Sequence, residues 1–166
     1  MMKRIFIVLG LLWCNGVKGQ ELKDTVAYAA TLGAYQYRFA DTAGVQHSLQ
    51  EFEGKYVYLD IWASWCYPCR KEYPFLKELE HAVDPRKIEV VSISIDQQEY
   101  RWKGGMNGYG INGGVQWWAS DTMFVQAFRI DRIPRFILLD KKGKVMQFSM
   151  TRPSNEQTIT FLKKLK

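Results

Sequence analysis

The chain has 166 residues, 47% hydrophobic and 24% charged, which suits one soluble globular domain plus a targeting segment. The formal net charge is +6, but Lys3, Arg4 and Lys18 are the only charges in residues 1–19, which leaves +3 for the remainder. That excess is spread along the chain, so it gives no ground for nucleic-acid binding, and there is no internal repeat, long charge run or low-complexity tract.

Met1-Met2-Lys3-Arg4 is a short basic start, and residues 5–14 form an apolar run too short to span a bilayer as a helix. Val17-Lys18-Gly19 then precedes a cleavage point ahead of Gln20, so residues 1–19 are expected to be a secretory signal peptide. A lipid anchor on Cys14 competes with this, although Trp13 is large where lipidation wants a small residue. Removal of the signal would take Cys14 with it and leave Cys66 and Cys69, in a compartment where disulfides persist.

Residues 20–34 are a weakly patterned lead-in. Residues 35–40 and 45–49 are predicted strands joined by the turn Asp41-Thr42-Ala43-Gly44, hence a hairpin. Residues 56–62 are apolar, aromatic and β-branched, the pattern of a buried strand. A helix is predicted over residues 67–83, with Phe75, Leu76, Leu79 and Val83 on one face and a kink at Pro74. Residues 88–95 read as a second central strand. Residues 104–114 contain six glycines and are expected not to hold a stable helix. Residues 121–128 are a predicted helix with an acidic start. Strands at 135–139 and 145–149 flank the turn Asp140-Lys141-Lys142-Gly143. Ser154-Asn155-Glu156-Gln157 is a predicted capping box opening the last helix. This order fits a parallel strand–helix–strand core with an antiparallel hairpin near the C-terminus.

Chemistry concentrates at Cys66 and Cys69, where a buried strand meets a helix. Cys66 at the helix start lies beside unpaired N–H groups and the positive end of the dipole, which favour a thiolate. Lowering a thiol from about 8.5 to about 7 needs roughly 2 kcal/mol. A dipole supplies about 0.3–1 kcal/mol, and up to about 2 when partly buried. Hydrogen bonds, including one from the Cys69 thiol, must provide the rest. Cys69 lies one turn later on the same face, a spacing that suits thiol–disulfide exchange. Spacing alone leaves zinc and a bracing disulfide open. A single CxxC offers zinc two ligands, and His47 and His81 stand at no finger-like spacing. Closing so short a loop gains little chain entropy, which makes bracing a poor explanation.

Asp60-Ile61-Trp62-Ala63-Ser64-Trp65-Cys66-Tyr67-Pro68-Cys69-Arg70-Lys71-Glu72 resembles the active-site segment of the thioredoxin superfamily, in its exported TlpA/ResA-like branch. A distant second match is Phe128-Arg129-Ile130-Asp131-Arg132-Ile133-Pro134, followed by a strand and turn at residues 136–145. The resemblance covers about residues 35–166 and implies an α/β thioredoxin-like fold. That fold has a central mixed β-sheet flanked by helices, here with an N-terminal β-hairpin extension. It makes residues 35–166 the domain, after residues 1–19 as signal and 20–34 as lead-in.

The same resemblance implies residue roles. Cys66 is the attacking cysteine and Cys69 the resolving one, forming the redox disulfide. Asp60 is the buried acid that moves a proton to or from the second cysteine, and a carboxyl in an apolar site has a raised pKa suited to that task. Glu72 is the glutamate this branch places near its cysteines. Trp65, Tyr67, Pro68, Ile133 and Pro134 form the substrate-binding surface, with Pro134 cis and facing the cysteines so that the Ile133 backbone pairs with a substrate chain. Plainer readings stand beside these: Asp60 as a local backbone cap, Glu72 as a solvated helix residue, Pro134 as the proline opening an edge strand.

Two departures from the family pattern stand out: Arg135 where many relatives carry a small hydroxyl residue, and Ser92 where thioredoxin proper has a lysine facing the buried acid. Trp102, Tyr109, Trp117 and Trp118 are either a partner surface or core, and core is favoured for Trp117 and Trp118.

The resemblance implies a thiol–disulfide oxidoreductase acting on exported proteins in a bacterial periplasm or cell envelope, with no cofactor and no metal. Its partners are protein disulfide or dithiol substrates and an upstream thiol electron donor, with no nucleic acid. The membrane enters only through the N-terminal signal or a lipid on Cys14. Substrates in this branch often include apocytochrome c, and Pro68 in place of a histidine resembles the more reducing members. A thiol peroxidase and a non-catalytic binding or chaperone module are the alternatives on the same fold. Ala63 and Leu59 stand where peroxiredoxins usually carry a hydroxyl residue and a proline, and an intact CxxC argues against the non-catalytic reading.

Overall fold

Residues 56–62 alternate their side chains between two buried faces, and this strand organises the rest. A computed structural model describes residues 33–120 and 122–166, so the signal at 1–19, Cys14, Asp121 and most of the lead-in lie outside the described residues. The strands are β1 (Phe39–Ala40), β2 (Gln46–His47), β3 (Tyr56–Trp62), β4 (Ile88–Ser94), β5 (Val115–Trp118), β6 (Arg135–Leu139) and β7 (Val145–Gln147). The helices are α1 (Tyr67–Ala82), α2 (Glu99–Tyr109), α3 (Met123–Ala127) and α4 (Glu156–Lys163). The strands form one seven-stranded sheet in the order β2-β1-β5-β4-β3-β6-β7. β3, β4 and β5 run parallel, while β6, β7 and the β1–β2 hairpin pair antiparallel.

On one face, Val57, Leu59 and Ile61 join Val91, Ile93, Ile137 and Leu139 under Phe124 and Phe128 from α3 and its end. On the other, Tyr58, Val90, Phe136 and Leu138 pack beneath Leu76 and Leu79 of α1, with Val83 after it and Leu162 of α4. Asp60 falls between Tyr58 and Trp62, so the two-residue period turns it toward the α1 side. The sheet register then sets Asp60 beside Ser92 and Ser92 beside Gln116, a polar row across three parallel strands.

Several expectations are corrected. Residues 104–114 were expected to be non-helical, yet α2 runs through Gly104, Gly105 and Gly108 to Tyr109. Glycine costs about 1 kcal/mol in a helix interior. Trp102 is fully buried and offsets this, the Glu99–Lys103 ion pair adds a surface brace, and Gly110 ends the helix in the left-handed region at φ 64°. Gly105 also packs so closely that an added Cβ would meet the Ser64 Cβ at 2.5 Å. The strand β5 was not predicted. It is four residues long and takes its identity from pairing with β4 and β1. The predicted strand at 45–49 shortens to β2, because Ser48 and Glu51 form a capping box that opens a 3-10 turn over Leu49–Phe52. Phe75 is exposed while Leu76, Leu79 and Val83 are buried. Asn155, not Ser154, caps α4, its side chain accepting from the Gln157 N–H.

Candidate active site

Cys66 is the N-cap residue of α1, its backbone extended at φ −82° and ψ 93°, and Pro68 lies in the first turn. A proline there gives up an N–H that the helix leaves unpaired anyway. The first turn carries no acidic residue, so nothing offsets the positive helix end at Cys66. Cys66 and Cys69 form a disulfide with Cα atoms 5.3 Å apart. The Cys69 backbone N–H donates to Cys66 Sγ at 3.2 Å, a contact that would also favour a thiolate there once the pair is reduced.

The pair is recessed, with Cys66 4% and Cys69 6% exposed, whereas Trp65 at 63% and Tyr67 at 58% project beside it. Cys66 is thus flanked by exposed aromatics rather than protruding itself. Trp62, Trp102 and Ile111 wall the cysteines from below, and Ile133, Tyr73, Met106 and Trp118 pack against that cluster. The Ile133–Pro134 bond is cis, and Ile133 packs against the cysteine cluster.

Asp60 is buried on the α1 side, and Ser92 Oγ donates to its Oδ2 at 3.1 Å. Burial pushes the Asp60 carboxyl up to about 7; the Ser92 hydrogen bond opposes this, and the charges of Glu72 and Glu80 reinforce it. Asp60 and Cys69 line one small cavity of about 10 Å³ together with Trp62, Tyr73, Ser92, Ile111 and Gln116. That is near the lower limit of the space one water fills. The buried Trp62 Nε1 and Gln116 Oε1 make no hydrogen bond within the described protein. Glu72 is buried too, but its carboxylate accepts from Arg152 Nη1 at 3.3 Å, from the Ser154 N–H at 3.1 Å and from Ser154 Oγ at 3.1 Å. It binds the loop before α4 rather than standing free beside the cysteines. Arg135 is held by Asp131 at 2.6 Å and lies over Phe148.

Sequence reasoning missed Asp96. Its carboxylate accepts from the Ser64 N–H at 2.9 Å, from Ser64 Oγ at 2.8 Å and from Ser94 Oγ at 2.9 Å, tying the turn before Cys66 to the end of β4. Its backbone oxygen accepts from the Trp118 indole at 2.7 Å, which draws in β5. The available signal was its place: a lone acid just past the end of a buried parallel strand, where open α/β sheets build their sites. Gln116 was missed with β5 itself.

Comparison with known proteins agrees with this geometry. The thioredoxin-like family profile matches residues 54–145. A thiol-disulfide oxidoreductase ResA from Bacillus anthracis is 30% identical over 127 residues, covering 75% of this chain and 72% of the relative. The solved thioredoxin domain of a thiol-disulfide oxidoreductase from Bacteroides vulgatus superposes with a TM-score of 0.67 at 27% identity, over 76% of this chain and 90% of that one. A solution structure of a candidate thiol-disulfide oxidoreductase from the same organism gives a TM-score of 0.69 at 40% identity, over 76% and 83%. With a recessed Cys66–Cys69 disulfide at a helix start, a buried acid sharing a cavity with Cys69, and Ile133 of the cis Ile133–Pro134 bond packed against the pair, the chain belongs to the thioredoxin-like family as a thiol-disulfide oxidoreductase of the TlpA/ResA-like type.

Proposed function

We propose that the chain is an exported disulfide reductase or interchange protein in which reduced Cys66 attacks and Cys69 resolves. The observation that carries the assignment of roles is the position of Cys66 Sγ, which caps α1 and accepts the Cys69 N–H. The Cys66 thiolate attacks one sulfur of a substrate disulfide; that S–S bond breaks, a mixed disulfide forms, and the departing substrate thiolate takes a proton. Cys69, deprotonated, then attacks Cys66 Sγ and expels the second substrate thiolate. The Cys66–Cys69 disulfide forms, and two electrons have passed to the substrate. An upstream thiol donor restores the dithiol.

Asp60 is the group suited to take the Cys69 proton. The two side chains line the same cavity, and a carboxyl near 7 is poised for transfer at neutral pH. Glu72 acts through Asp60, its charge helping to hold that carboxyl up. Trp65, Tyr67, Pro68, Ile133 and Pro134 form the surface on which a substrate chain lies, supported by the exposure of Trp65 and Tyr67 and the packing of Ile133 on the cysteines. Export to the periplasm or cell envelope rests on the pattern of residues 1–19, as do the boundaries of signal, lead-in and a domain over 35–166. Among the described residues no helix is long and apolar enough to cross a membrane. Apocytochrome c is a substrate class suggested by the branch alone.

Two measurements test this. Reduced protein should reduce insulin disulfides, with Cys66→Ser abolishing turnover; wild-type-like activity in that variant refutes the assignment. The Cys66–Cys69 potential should fall near thioredoxin's (about −270 mV), and a value near DsbA's (about −120 mV) reverses the direction of flow.

A further inference from the structure

Beside Pro134 lies a groove of about 340 Å³ lined by Arg132, Pro134, Arg135, Phe136, Ser149, Met150 and Arg152. We infer that this groove receives an acidic segment of the partner protein, next to the cysteine that exchanges with Cys66. The inference rests on the reading of the site as a protein disulfide exchanger and specifies which protein segments it prefers.

Position is the first support. Ile133 packs against the cluster that holds Cys66 and Cys69, and the next residue, Pro134, opens the groove. A chain that reaches the cysteines past Ile133 continues into it. Charge is the second. Three guanidiniums line the groove and, among the described residues, no carboxylate does. The nearby acids are Asp131, shared between Arg132 at 3.0 Å and Arg135 at 2.6 Å, and Glu72, bound to Arg152 at 3.3 Å. Two carboxylates against three guanidiniums leave one positive charge in excess.

Donor supply is the third support. A guanidinium carries five N–H groups, and Arg152 gives one hydrogen bond to Glu72 while its side chain stays 56% exposed. Arg132 is 79% exposed, whereas Arg135 is only 13% exposed and clamped by Asp131. Arg132 also donates to Asp131, through Nε and Nη2, so the donors left for an incoming carboxylate are Arg132 Nη1 and those that Arg152 does not give to Glu72. Positive charge continues across the site, with Arg70 and Lys71 stacked on the exposed Tyr67 ring. The volume falls within the range of ligand clefts.

The test uses reduced wild-type protein and three disulfide-linked peptides that differ only in the two residues flanking the cysteine: Glu-Glu, Gln-Gln or Lys-Lys. The second-order rate constant is read at low and high salt. The Glu-Glu peptide should react about tenfold faster than Gln-Gln at low salt, and the advantage should collapse at high salt. Arg132→Glu, at a side chain 79% exposed, should lower the Glu-Glu to Gln-Gln ratio and raise that of Lys-Lys. Equal rates for all three peptides in wild type overturn the inference and leave the exchange reading standing. No turnover of any peptide overturns both. Equal peptide rates together with loss of phosphatidylglycerol-vesicle binding in Arg132→Glu would assign the groove to lipid and also overturn it.

Discussion

Replacing Asp60 by asparagine tests the buried acid through stability as well as rate. Burial lifts the Asp60 carboxyl from an ordinary 3.8 to about 7 in the oxidised protein. Each unit is worth about 1.36 kcal/mol, so ionising Asp60 in the folded state costs about 4 kcal/mol more than in the unfolded chain. The sign follows from proton binding. Between pH 4 and 7 the folded state keeps a proton that the unfolded state has lost, so wild-type stability falls as pH rises through this window and levels off above it. The amide introduced by Asp60→Asn does not titrate. The stability difference, wild type minus Asp60→Asn, should therefore drop by about 4 kcal/mol from pH 4 to pH 8. His47, raised by Glu51 and Asp41 against its own desolvation, also loses stability as pH rises, but that contribution cancels in the difference. Urea unfolding of both oxidised proteins across the pH series is the assay. A difference that stays constant across the window refutes the claim that Asp60 is held protonated near neutrality.

The other predictions concern the site's supports. Gly105→Ala should destabilise by about 1–3 kcal/mol, since its Cβ would meet the Ser64 Cβ at 2.5 Å just before Cys66; an unchanged urea midpoint contradicts this. Glu72→Ala should cost about 1–3 kcal/mol by removing three hydrogen bonds to Arg152 and Ser154, and Glu72→Gln should cost less. Equal urea midpoints for Glu72→Ala and wild type would contradict that. Asp96→Ala should destabilise and shift the Cys66–Cys69 potential, because it frees the Ser64 turn that carries Cys66; an unchanged potential argues against a positioning role.

The catalytic core of the fold was legible because its signals are local. β3 and β6 match the predicted 56–62 and 135–139, and α1 ends one residue short of the predicted 83. In each, a period or a breaker is written into consecutive residues. The segment between β4 and α3 was not legible, for a tertiary reason. Glycine propensity opposes α2, and tertiary contacts, chiefly the burial of Trp102 and the close approach of Gly105 to Ser64, reverse the balance. Ser154 carries the spelling of a capping box, but its hydroxyl serves Glu72, a partner 82 residues away in sequence. Cys66 and Cys69 were found by spacing and by resemblance. The row Asp60–Ser92–Gln116 needed the sheet register, which short-range pattern does not contain.

The most direct test of the central claim is covalent trapping. Cys69→Ser, reduced and mixed with a peptide disulfide, should accumulate a mixed disulfide through Cys66, while Cys66→Ser should accumulate none. Mass spectrometry reads both. Capture through Cys69 in Cys66→Ser at a comparable rate, or no capture in either variant, would contradict the assignment of Cys66 as the attacking cysteine.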